Sequence, residues 1–342
     1  MISEHANIAE RSTTPIRVGM IGLGRFSRYH LKCLKQQQGV VLAAVADPNR
    51  ERTEEVAAEW GCRGYEDWRR MLEDEALDAV VVLTPEDMHT EPVLKALASG
   101  CHVFVEKPLA LTEADARRMV RTAEERGKLL MVGHVGRFDP RIAHIRREVE
   151  AGSLGKLRSV YCRRNNPKKY FHIYRRSSPI YVLGIHDIDL MHWVTGSRVV
   201  EVFARASASA DGAPDLVWSM LTFADGTIGI IENHWLMPDS APAEMDIRME
   251  VVGEAGTIHL QDPVPTLESW TGAALSYPAS YSWNELHDRY TGHLLEEMTH
   301  FYACVRANKP STILRPHDAL EAVKVAEAIV RSCETGLPVK LP

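Results

Sequence analysis

The stretch VGMIGLGRFSRYH, residues 18–30, joins a short apolar strand to an amphipathic segment through a glycine-rich turn. Gly22 and Gly24 let such a turn be tight and bring backbone N–H groups and a helix N-terminus close to a phosphate. Ser27 stands at the third position of the GxGxxG pattern, where a small residue still permits close helix packing. Taken alone, the turn fits an ordinary strand-to-helix connection equally well. The segments around it are therefore needed to distinguish that connection from a dinucleotide-binding turn.

The segments around the turn predict a parallel sheet covered by helices. Five apolar runs lack the alternation of a half-exposed strand, which indicates burial on both faces. They are RVGMIGL, VVLAAVAD, AVVVLTP, HVFVEKP and LLMVGH, with helices predicted over 49–60, 88–99 and 112–127, the last capped by Thr112. After a disordered lead at 1–14, residues 15–137 therefore predict a Rossmann dinucleotide-binding domain.

Asp47 ends the second apolar run, at the spacing where an acid hydrogen-bonds the adenosine ribose of a dinucleotide. Its carboxylate would repel a 2′-phosphate, so NAD is favoured over NADP as the cofactor. Arg50 and Arg52 lie nearby and leave NADP open, because an arginine can accept that phosphate. A turn residue before Pro48 is the plainer interpretation of Asp47, but it does not explain the position after a glycine turn and a second strand.

Residues 138–342 predict a second domain of a different kind. Longer strands alternate polar and apolar residues, as a sheet with one packed and one open face requires. They are KLRSVYCRR, VVEVFARASA, LVWSMLTF, TIGIIENHW and DIRMEVV, with hairpins at 224–226 and 253–256 and helices at 141–151, 291–307 and 317–334. The predicted fold class is α/β, a Rossmann domain followed by an α+β domain with an open, mostly antiparallel sheet. The open face predicts a homodimer or homotetramer.

Composition narrows the class of protein. The 342 residues are 45% hydrophobic and 25% charged with a formal net charge of -6, which indicates a globular protein without the basic field that nucleic-acid binding favours. The six cysteines lie far apart and indicate reduced thiols rather than a zinc site or a disulfide framework. No apolar run reaches the length of a membrane span, and the N-terminus lacks a signal-peptide core. A cytoplasmic location is therefore expected.

HVFVEKPLAL, residues 102–111, breaks from a buried strand into two charges and a proline. The carboxyl ends of neighbouring parallel strands line the crevice in which ligands bind, and both Thr84-Pro85 and Glu106-Lys107-Pro108 follow such strands. Pro108 restricts the backbone of Lys107 and can aim its ammonium into the crevice. A solvated strand end explains this stretch equally well if it is taken alone.

Several motifs together resemble the glucose–fructose oxidoreductase/inositol dehydrogenase/rhizopine-catabolism (Gfo/Idh/MocA) family. The resemblance covers nearly the whole chain and rests on Asp47 and on GLG at 22–24, TPEDMH at 84–89, VEKPLA at 105–110, GRFDP at 136–140 and GIHDIDLMHW at 184–193. It implies a Rossmann domain, a second domain whose open sheet often mediates oligomers, and NAD(P)-dependent oxidation or reduction of sugars and cyclitols.

The resemblance also implies roles for individual residues. Lys107 matches the family's lysine, which contacts the nicotinamide ribose and the reacting hydroxyl, and His186 matches the catalytic histidine that exchanges a proton with substrate. His89, taken alone, is an ordinary residue at the start of a helix. The residues expected to contact the cofactor are Gly22, Leu23, Gly24, Arg25, Phe26, Asp47, Thr84, Pro85, His89, Glu106, Lys107 and Pro108.

One position near His186 departs from the family pattern. Many members place an aspartate four residues before the catalytic histidine, and Val182 stands there in this chain. We expect a rearranged substrate pocket that uses Tyr181 or Asp187, with Asp189 in an orienting or capping role. The histidines and aspartates of residues 186–192 have no recognised metal-ligand spacing, so no metal is expected.

Residues 161–179, YCRRNNPKKYFHIYRRSSP, are dense in cationic and aromatic side chains. They are interpreted equally well as a solvated loop and as a loop that meets an acidic or phosphorylated sugar, including a nucleotide-sugar. The candidate substrate residues of the whole chain are His134, Arg163, Arg164, Tyr170, His172, Tyr181 and Asp187.

The sequence thus predicts an NAD-dependent dehydrogenase or reductase acting on a secondary hydroxyl or ketone of a sugar, sugar derivative or cyclitol. One alternative is an enzyme that cleaves glycosides through transient oxidation on a retained NAD. Another is a non-catalytic cofactor-binding regulator, which the presence of Lys107 and His186 disfavours.

Overall fold

A computed structural model describes residues 14–264, 267–271, 275–277 and 284–342 of the protein. The first sheet contains β1 (Ile16–Ile21), β2 (Val40–Ala46), β3 (Arg63–Tyr65), β4 (Ala79–Val82), β5 (His102–Glu106) and β6 (Leu130–Gly133). All pairs are parallel, in the order β3-β2-β1-β4-β5-β6. This order confirms the predicted Rossmann fold, whose ligand crevice lies between β1 and β4, where the strand order reverses. The predicted lead at 1–14 lies outside the described residues except for Thr14.

Helices cover this sheet, and three of them have side-chain caps at their N-termini, from Asn49, Asp67 and Thr112. They are α1 (Ser27–Leu34), α2 (Arg50–Trp60), α3 (Trp68–Asp74), α4 (Thr90–Ala98) and α5 (Glu113–Glu125). The Asn49 side chain accepts from the Arg52 N–H at 2.9 Å, and the Thr112 hydroxyl accepts from the Asp115 N–H at 3.1 Å. The three predicted helices are confirmed with ends shifted by one or two residues. Because β3 and α3 are short, they show no clear period and were not predicted.

The second sheet confirms the predicted open, mostly antiparallel architecture. Six of its seven strands are β7 (Leu157–Pro167), β8 (Val199–Ala208), β9 (Pro214–Phe223), β10 (Ile228–Met237), β11 (Asp246–Gly253) and β12 (Thr257–Asp262), and the seventh is β17 (Val339–Lys340) near the C-terminus. Two short ribbons follow, β13 (Ser269–Trp270) with β14 (Leu275–Ser276) and β15 (Asn284–Leu286) with β16 (Arg289–Thr291), and then β17. The order is β12-β11-β7-β10-β9-β8-β17, with β7 and β10 parallel and the other neighbours antiparallel. Both predicted hairpins are present.

One face of the second sheet is covered and the other is open. The remaining helices are α6 (Pro140–Glu150), α7 (Phe171–Tyr174), α8 (Ile185–Thr195), α9 (His293–Ala307) and α10 (Pro316–Thr335). α8 packs on β7, and α10 packs on β8. Trp218, Met220 and Ile228 lie on the open face and are 45%, 48% and 47% exposed. A π-helical turn, Ile180–Gly184, leads into α8. Within the described part of the chain, no helix combines the length and apolarity needed to cross a membrane.

α9 packs on the first sheet although it follows the second in sequence. The ring of its Phe301 lies 5.5 Å from the ring of Phe104 in β5. Leu294 joins the same core as Val18 and Leu31. The helical period shows that one side of α9 is buried, but not against which sheet. The division of the chain at residue 137 stays a prediction.

Candidate active site

The carboxyl ends of the first sheet open into a cleft of about 1300 Å³. One part of the cleft follows β1, β2 and β4, and the other reaches α8, β11 and β12. We call these the cofactor half and the substrate half. The volume accommodates a dinucleotide together with a small substrate. Every predicted cofactor residue except Leu23, whose side chain is buried in the core, lines the cleft.

The two glycines of the turn have different structural tasks. Gly22 has a φ of +91°, and a Cβ there would lie 2.8 Å from the carbonyl carbon of Leu83, so a side chain would collide with backbone. A Cβ on Gly24, which lines the cleft, would meet no described atom within 4 Å. The N-terminus of α1 follows directly, and its dipole favours a phosphate. The turn therefore fits the pyrophosphate of a dinucleotide.

Asp47 is 7% exposed at the end of β2, and its carboxylate also supports the glycine turn. Oδ2 accepts from the Leu23 N–H at 2.7 Å, and Oδ1 accepts from the Asn49 N–H at 2.9 Å. Each carboxylate oxygen keeps further acceptor capacity for a ribose hydroxyl. Arg52 Nη1 lies 3.3 Å from both oxygens and offsets part of the negative charge. Asp47 thus fits the predicted ribose contact.

His89 ties together the loops that follow β4 and β5. Its Nδ1 lies 2.7 Å from the carbonyl oxygen of Pro108, and its Nε2 lies 2.9 Å from that of Thr84. Burial lowers the pKa of His89, although these carbonyl contacts act in the opposite direction. Both ring nitrogens are therefore engaged within the protein, and the role of His89 as a direct cofactor contact stays a prediction.

Residues 168–177, which we call the strap, connect the second half of the chain to the cofactor half of the cleft. Ser177 Oγ donates to Glu86 Oε1 at 2.5 Å, and the Arg176 guanidinium donates to Glu86 Oε2. The guanidinium carbon of Arg25, in the glycine turn, lies 4.8 Å from the ring centre of Tyr170. The strap thus contacts both the glycine turn and the segment after β4.

Lys107 lies where the two halves of the cleft meet. Its ammonium donates to the main-chain oxygen of Val182, in the π-helical turn, at 3.1 Å. Burial lowers the pKa of Lys107 below its ordinary value of 10.5, although the carboxylates of Glu106 and Glu86 act in the opposite direction. Glu106 Oε1 is in turn 3.0 Å from His30 Nε2. A buried lysine with a lowered pKa is suited to accept and return a proton.

His186 lies in the first turn of α8 and lines the same cleft. Burial lowers the pKa of His186 well below 6.5, and the positive charges of Lys107 and Arg164 act in the same direction. The imidazole is therefore neutral near pH 7, with one nitrogen that donates and one that accepts. The structure thus places both predicted catalytic side chains in one cleft.

Asp187, expected to replace the missing aspartate, lines the cleft but is engaged by other residues. Arg164 Nε donates to its Oδ1 at 3.1 Å, and Asn233 Nδ2 donates to its Oδ2 at 3.1 Å. Burial raises the pKa of Asp187, while Arg164 and Asn233 act to lower it. The carboxylate is thus held as part of the pocket wall.

Five predicted substrate residues are not among the described residues that line the cleft: His134, Arg163, Tyr170, His172 and Tyr181. Arg163 alternates with Arg164 along β7, so it points to the other sheet face, where it pairs with Asp246 at 2.8 Å. The Tyr181 hydroxyl donates to the Leu111 carbonyl oxygen at 2.7 Å. Substrate roles for these five residues stay predictions.

The basic segment at 161–179 is largely neutralised by acidic side chains. The Tyr170 hydroxyl donates to Glu244, and His172 is exposed. His134 is buried, with no described hydrogen-bond partner for either ring nitrogen. Five cations of the segment face carboxylates: Arg163, Arg164, Lys169, Arg175 and Arg176. These pairs leave less positive charge for an acidic sugar than the residue count alone indicates.

Two buried charged groups, Arg137 and Glu297, were not predicted as part of the site. Arg137 donates to Asp189 at 2.9 and 2.6 Å and to Asp318 at 2.8 Å, so Asp189 orients an arginine. The GRFDP motif marks Arg137, but its partners are distant in sequence. Glu297 in α9 is fully buried with no described partner, and burial raises its pKa well above 4.5. Among the described residues, no cluster of His, Cys, Asp or Glu is suited to hold a metal ion.

Comparison with known families matches both parts of the chain. Residues 16–134 match the model of an oxidoreductase family with an NAD-binding Rossmann fold, GFO/IDH/MocA, and residues 142–259 match the GFO/IDH/MocA C-terminal domain. The chain is 30% identical to scyllo-inositol 2-dehydrogenase (NAD(+)) of Bacillus subtilis, over 95% of this chain and 96% of that protein. It is 31% identical to myo-inositol 2-dehydrogenase of Thermotoga maritima, over 95% and 98% of the two chains.

Solved structures show the same architecture. A probable dehydrogenase from Thermotoga maritima superposes with a TM-score of 0.79 at 28% identity, covering 95% of this chain and 98% of the other. Scyllo-inositol dehydrogenase from Lactobacillus casei, solved with NAD(H) and scyllo-inositol, has a TM-score of 0.83 at 21% identity, covering 96% and 99%. At that identity the second comparison supports the fold alone.

Proposed function

Because the chain belongs to the Gfo/Idh/MocA family of NAD-dependent oxidoreductases, we propose that it oxidises a secondary hydroxyl of a sugar or cyclitol, or reduces the corresponding ketone. The observation that carries this proposal is the position of Lys107 and His186 in one cleft, beside the residues that fit a dinucleotide. When bound, NAD supplies the acceptor for the hydride that leaves the substrate carbon.

We assign the proton to Lys107 and the orientation of the hydroxyl to His186. The pKa of His186 is lowered well below 6.5, so its imidazole is a weak base near pH 7. The pKa of Lys107 is also lowered, but from a much higher ordinary value of 10.5. We therefore infer that the neutral amine of Lys107, which lies at the junction of the two halves of the cleft, is the proton acceptor. The neutral imidazole can donate its N–H to the hydroxyl oxygen and hold the substrate, which leaves the hydroxyl proton free to pass to the Lys107 amine. Val182 O accepts from the resulting Lys107 ammonium.

The test is a substrate screen at saturating NAD, read by NADH absorbance and followed by product identification. The panel contains scyllo- and myo-inositol, the compounds in the names of two relatives, together with aldoses and glycosides. We expect NADH to form in proportion to ketone product. Glycoside cleavage without net NADH would support the retained-NAD alternative, and absence of both reactions would contradict an enzymatic role.

We also propose that the protein assembles as a homodimer or homotetramer in the cytoplasm. The support is the open face of the second sheet, which exposes Trp218, Met220 and Ile228 by almost half of their surface. Apolar side chains of this size on one sheet face are usually buried by a partner. Light scattering at micromolar concentration should give a dimer or tetramer mass, and a monomer would contradict the proposal.

A further inference from the structure

The residue that departs from the family pattern lies at the reacting end of the cleft. The main-chain oxygen of Val182 accepts from Lys107 Nζ at 3.1 Å, so the backbone of residue 182 holds the ammonium. Val182 as a whole is 8% exposed, and the residue lines the cleft. An isopropyl group at a position that lines the cleft can contact a substrate but cannot hydrogen-bond to a hydroxyl.

Val182 belongs to a small apolar cluster outside the two main cores. Its members are Leu183 and Trp235, with Tyr170, Phe171 and Tyr174 packed against them. The rings of Tyr174 and Trp235 stack with centroids 5.2 Å apart and 12° between their planes. Tyr174 also lines the cleft. Val182 and Tyr174 thus form an apolar part of the cleft wall, and the rest of the cluster packs behind them.

Apolar side chains of β11 and β12 also line the substrate half. Ile247 and Met249 on β11 and Leu260 on β12 line the cleft, and Met249 and Leu260 are 2% and 8% exposed. These side chains share a sheet face with Arg164, because Ile247 pairs with Arg164 in the β11–β7 register. The part of a substrate that contacts these side chains is transferred from water to an apolar environment.

Two of the arginines that line the substrate half are paired with carboxylates, while Arg248 on β11 also lines the cleft and its Nε has no described partner. Arg164 and Asp187 bind each other, as described above. Arg141 Nη2 donates to Asp139 Oδ2 at 2.7 Å and to Asp262 Oδ2 at 3.1 Å. An inositol carries a hydroxyl on every ring carbon, and each buried hydroxyl needs a hydrogen-bond partner. Paired charges and apolar walls suit a molecule with fewer free hydroxyls.

We propose that the substrate half is a specificity pocket for an O-substituted sugar or cyclitol, in which an apolar alkyl or aryl group, ether- or glycoside-linked near the reacting carbon, packs between Val182 and the β11–β12 wall. The proposal rests on the dehydrogenase function proposed above and names its substrate class. Val182 is then a specificity residue, since its side chain contacts the apolar group of the substrate while its main-chain oxygen accepts a hydrogen bond from Lys107.

Matched pairs of compounds test this pocket. The NAD-loaded protein is assayed with myo-inositol against its mono-O-methyl ethers, and with D-glucose against its methyl and phenyl glucosides. Both kcat/KM from NADH formation and Kd from calorimetry are measured. We expect the best methyl compound of each set to exceed its free polyol by about fourfold, and phenyl by tenfold or more, as burial of added hydrocarbon predicts.

Variants at position 182 assign the preference to this wall. Val182→Thr keeps the side-chain volume and adds a hydroxyl, and should reduce the O-substituted to free ratio by about fivefold. Val182→Asp should shift it further toward free polyols, and the threonine variant remains informative if the aspartate variant does not fold. Val194→Thr makes the same change at a buried position of α8 that does not line the cleft, and should leave the ratio unchanged.

The outcomes separate this inference from the proposed function. Free polyols that are bound and oxidised at least as well as their O-substituted partners would overturn the inference and leave the dehydrogenase function intact. A preference that Val182→Thr does not reduce would overturn it as well. Preferred binding of O-substituted compounds without formation of NADH would support the pocket and contradict the proposed function.

Discussion

The two halves of the cleft are built from different parts of the chain. In the cofactor half, the turn at 22–26, Asp47 and the segment at 84–89 each follow a strand of one parallel sheet, so the sheet alone brings them together. In the substrate half, Arg164, Asp187 and Met249 come from separate segments of the chain. The cofactor half depends mainly on backbone geometry, and the substrate half depends on which side chains meet.

This difference explains why the cofactor is more readily identified than the substrate. A phosphate site needs glycines and a helix N-terminus, which a short motif specifies. A sugar site needs a particular set of side chains, and these come from several segments that no single motif specifies. The following substitutions examine the division, beginning with the residue at the junction of the two halves.

Replacement of Lys107 by alanine should have the largest effect and should affect both halves. We expect kcat to fall by at least about 10²-fold, because the proton acceptor is lost. The Kd for NAD should rise as well, if the lysine also contacts the nicotinamide ribose. Stopped-flow turnover and calorimetry measure the two effects, and Lys95→Ala, at an exposed position of α4, is the control. Unchanged turnover would remove Lys107 from the mechanism.

The pH dependence of kcat/KM for the unmodified enzyme should report the ionisation of Lys107. Burial lowers the pKa of Lys107 below 10.5, so the neutral amine forms at lower pH than for a free lysine. In the oxidation direction, kcat/KM should therefore rise with pH and level off with a midpoint below 10.5, and this limb should be absent in Lys107→Ala. A midpoint at or above 10.5 would contradict a buried lysine as the base.

Replacement of His186 by alanine should affect the substrate half and spare the cofactor half. We expect a loss in kcat of about 10²-fold, since the hydroxyl is no longer held, with a smaller change in NAD affinity than for Lys107→Ala. His144→Ala, at an exposed position of α6, is the matched control. Near-full turnover of His186→Ala would show that the site is rebuilt around other residues, and Tyr181 would be the next residue to replace.

Replacement of Asp47 should affect the cofactor half alone. Asp47→Asn removes the charge and keeps one oxygen, which can accept from only one of the two backbone N–H groups, those of Leu23 and Asn49. The preference for NAD over NADP should fall by about tenfold. Asp47→Ala should also weaken NAD binding, because the hydrogen bond from the Leu23 N–H is lost. Glu59→Gln makes the same charge change on the exposed side of α2. Stronger binding of NADP than NAD by the unmodified protein would refute the assignment.

Replacement of Arg176 should have the smallest effect and tests whether the strap joins the two halves. Its pair with Glu86 is partly exposed, with side chains 37% and 8% accessible. Arg176→Ala should raise the NAD dissociation rate by about fivefold, a modest value for a partly screened charged hydrogen bond. Arg175→Ala, one residue earlier, breaks a pair with Asp211 instead and should not change that rate. Equal changes in the NAD dissociation rate for both variants would show that the pair of Arg176 with Glu86 has no specific role in cofactor binding.

Much of the fold was predictable because its signals are local. The continuous apolar runs identified buried parallel strands, since all four residues of both β4 and β6 are buried. The alternating strands of the second half identified a sheet with one open face, and both hairpins followed from their turn residues. The face that α9 buries was not predictable, because amphipathicity does not name the partner surface.

By itself the sequence determined the glycine turn, Asp47 and the strand-end position of Lys107, since each depends on residues within a few positions of it. Only the tertiary structure decided that Asp187 is held by Arg164 and Asn233, that Arg163 faces away from the cleft, and that Glu297 is buried. The reason is physical. A side chain's burial and its pKa depend on groups that the chain brings together from distant segments, and these determine which functional groups remain free to meet a substrate.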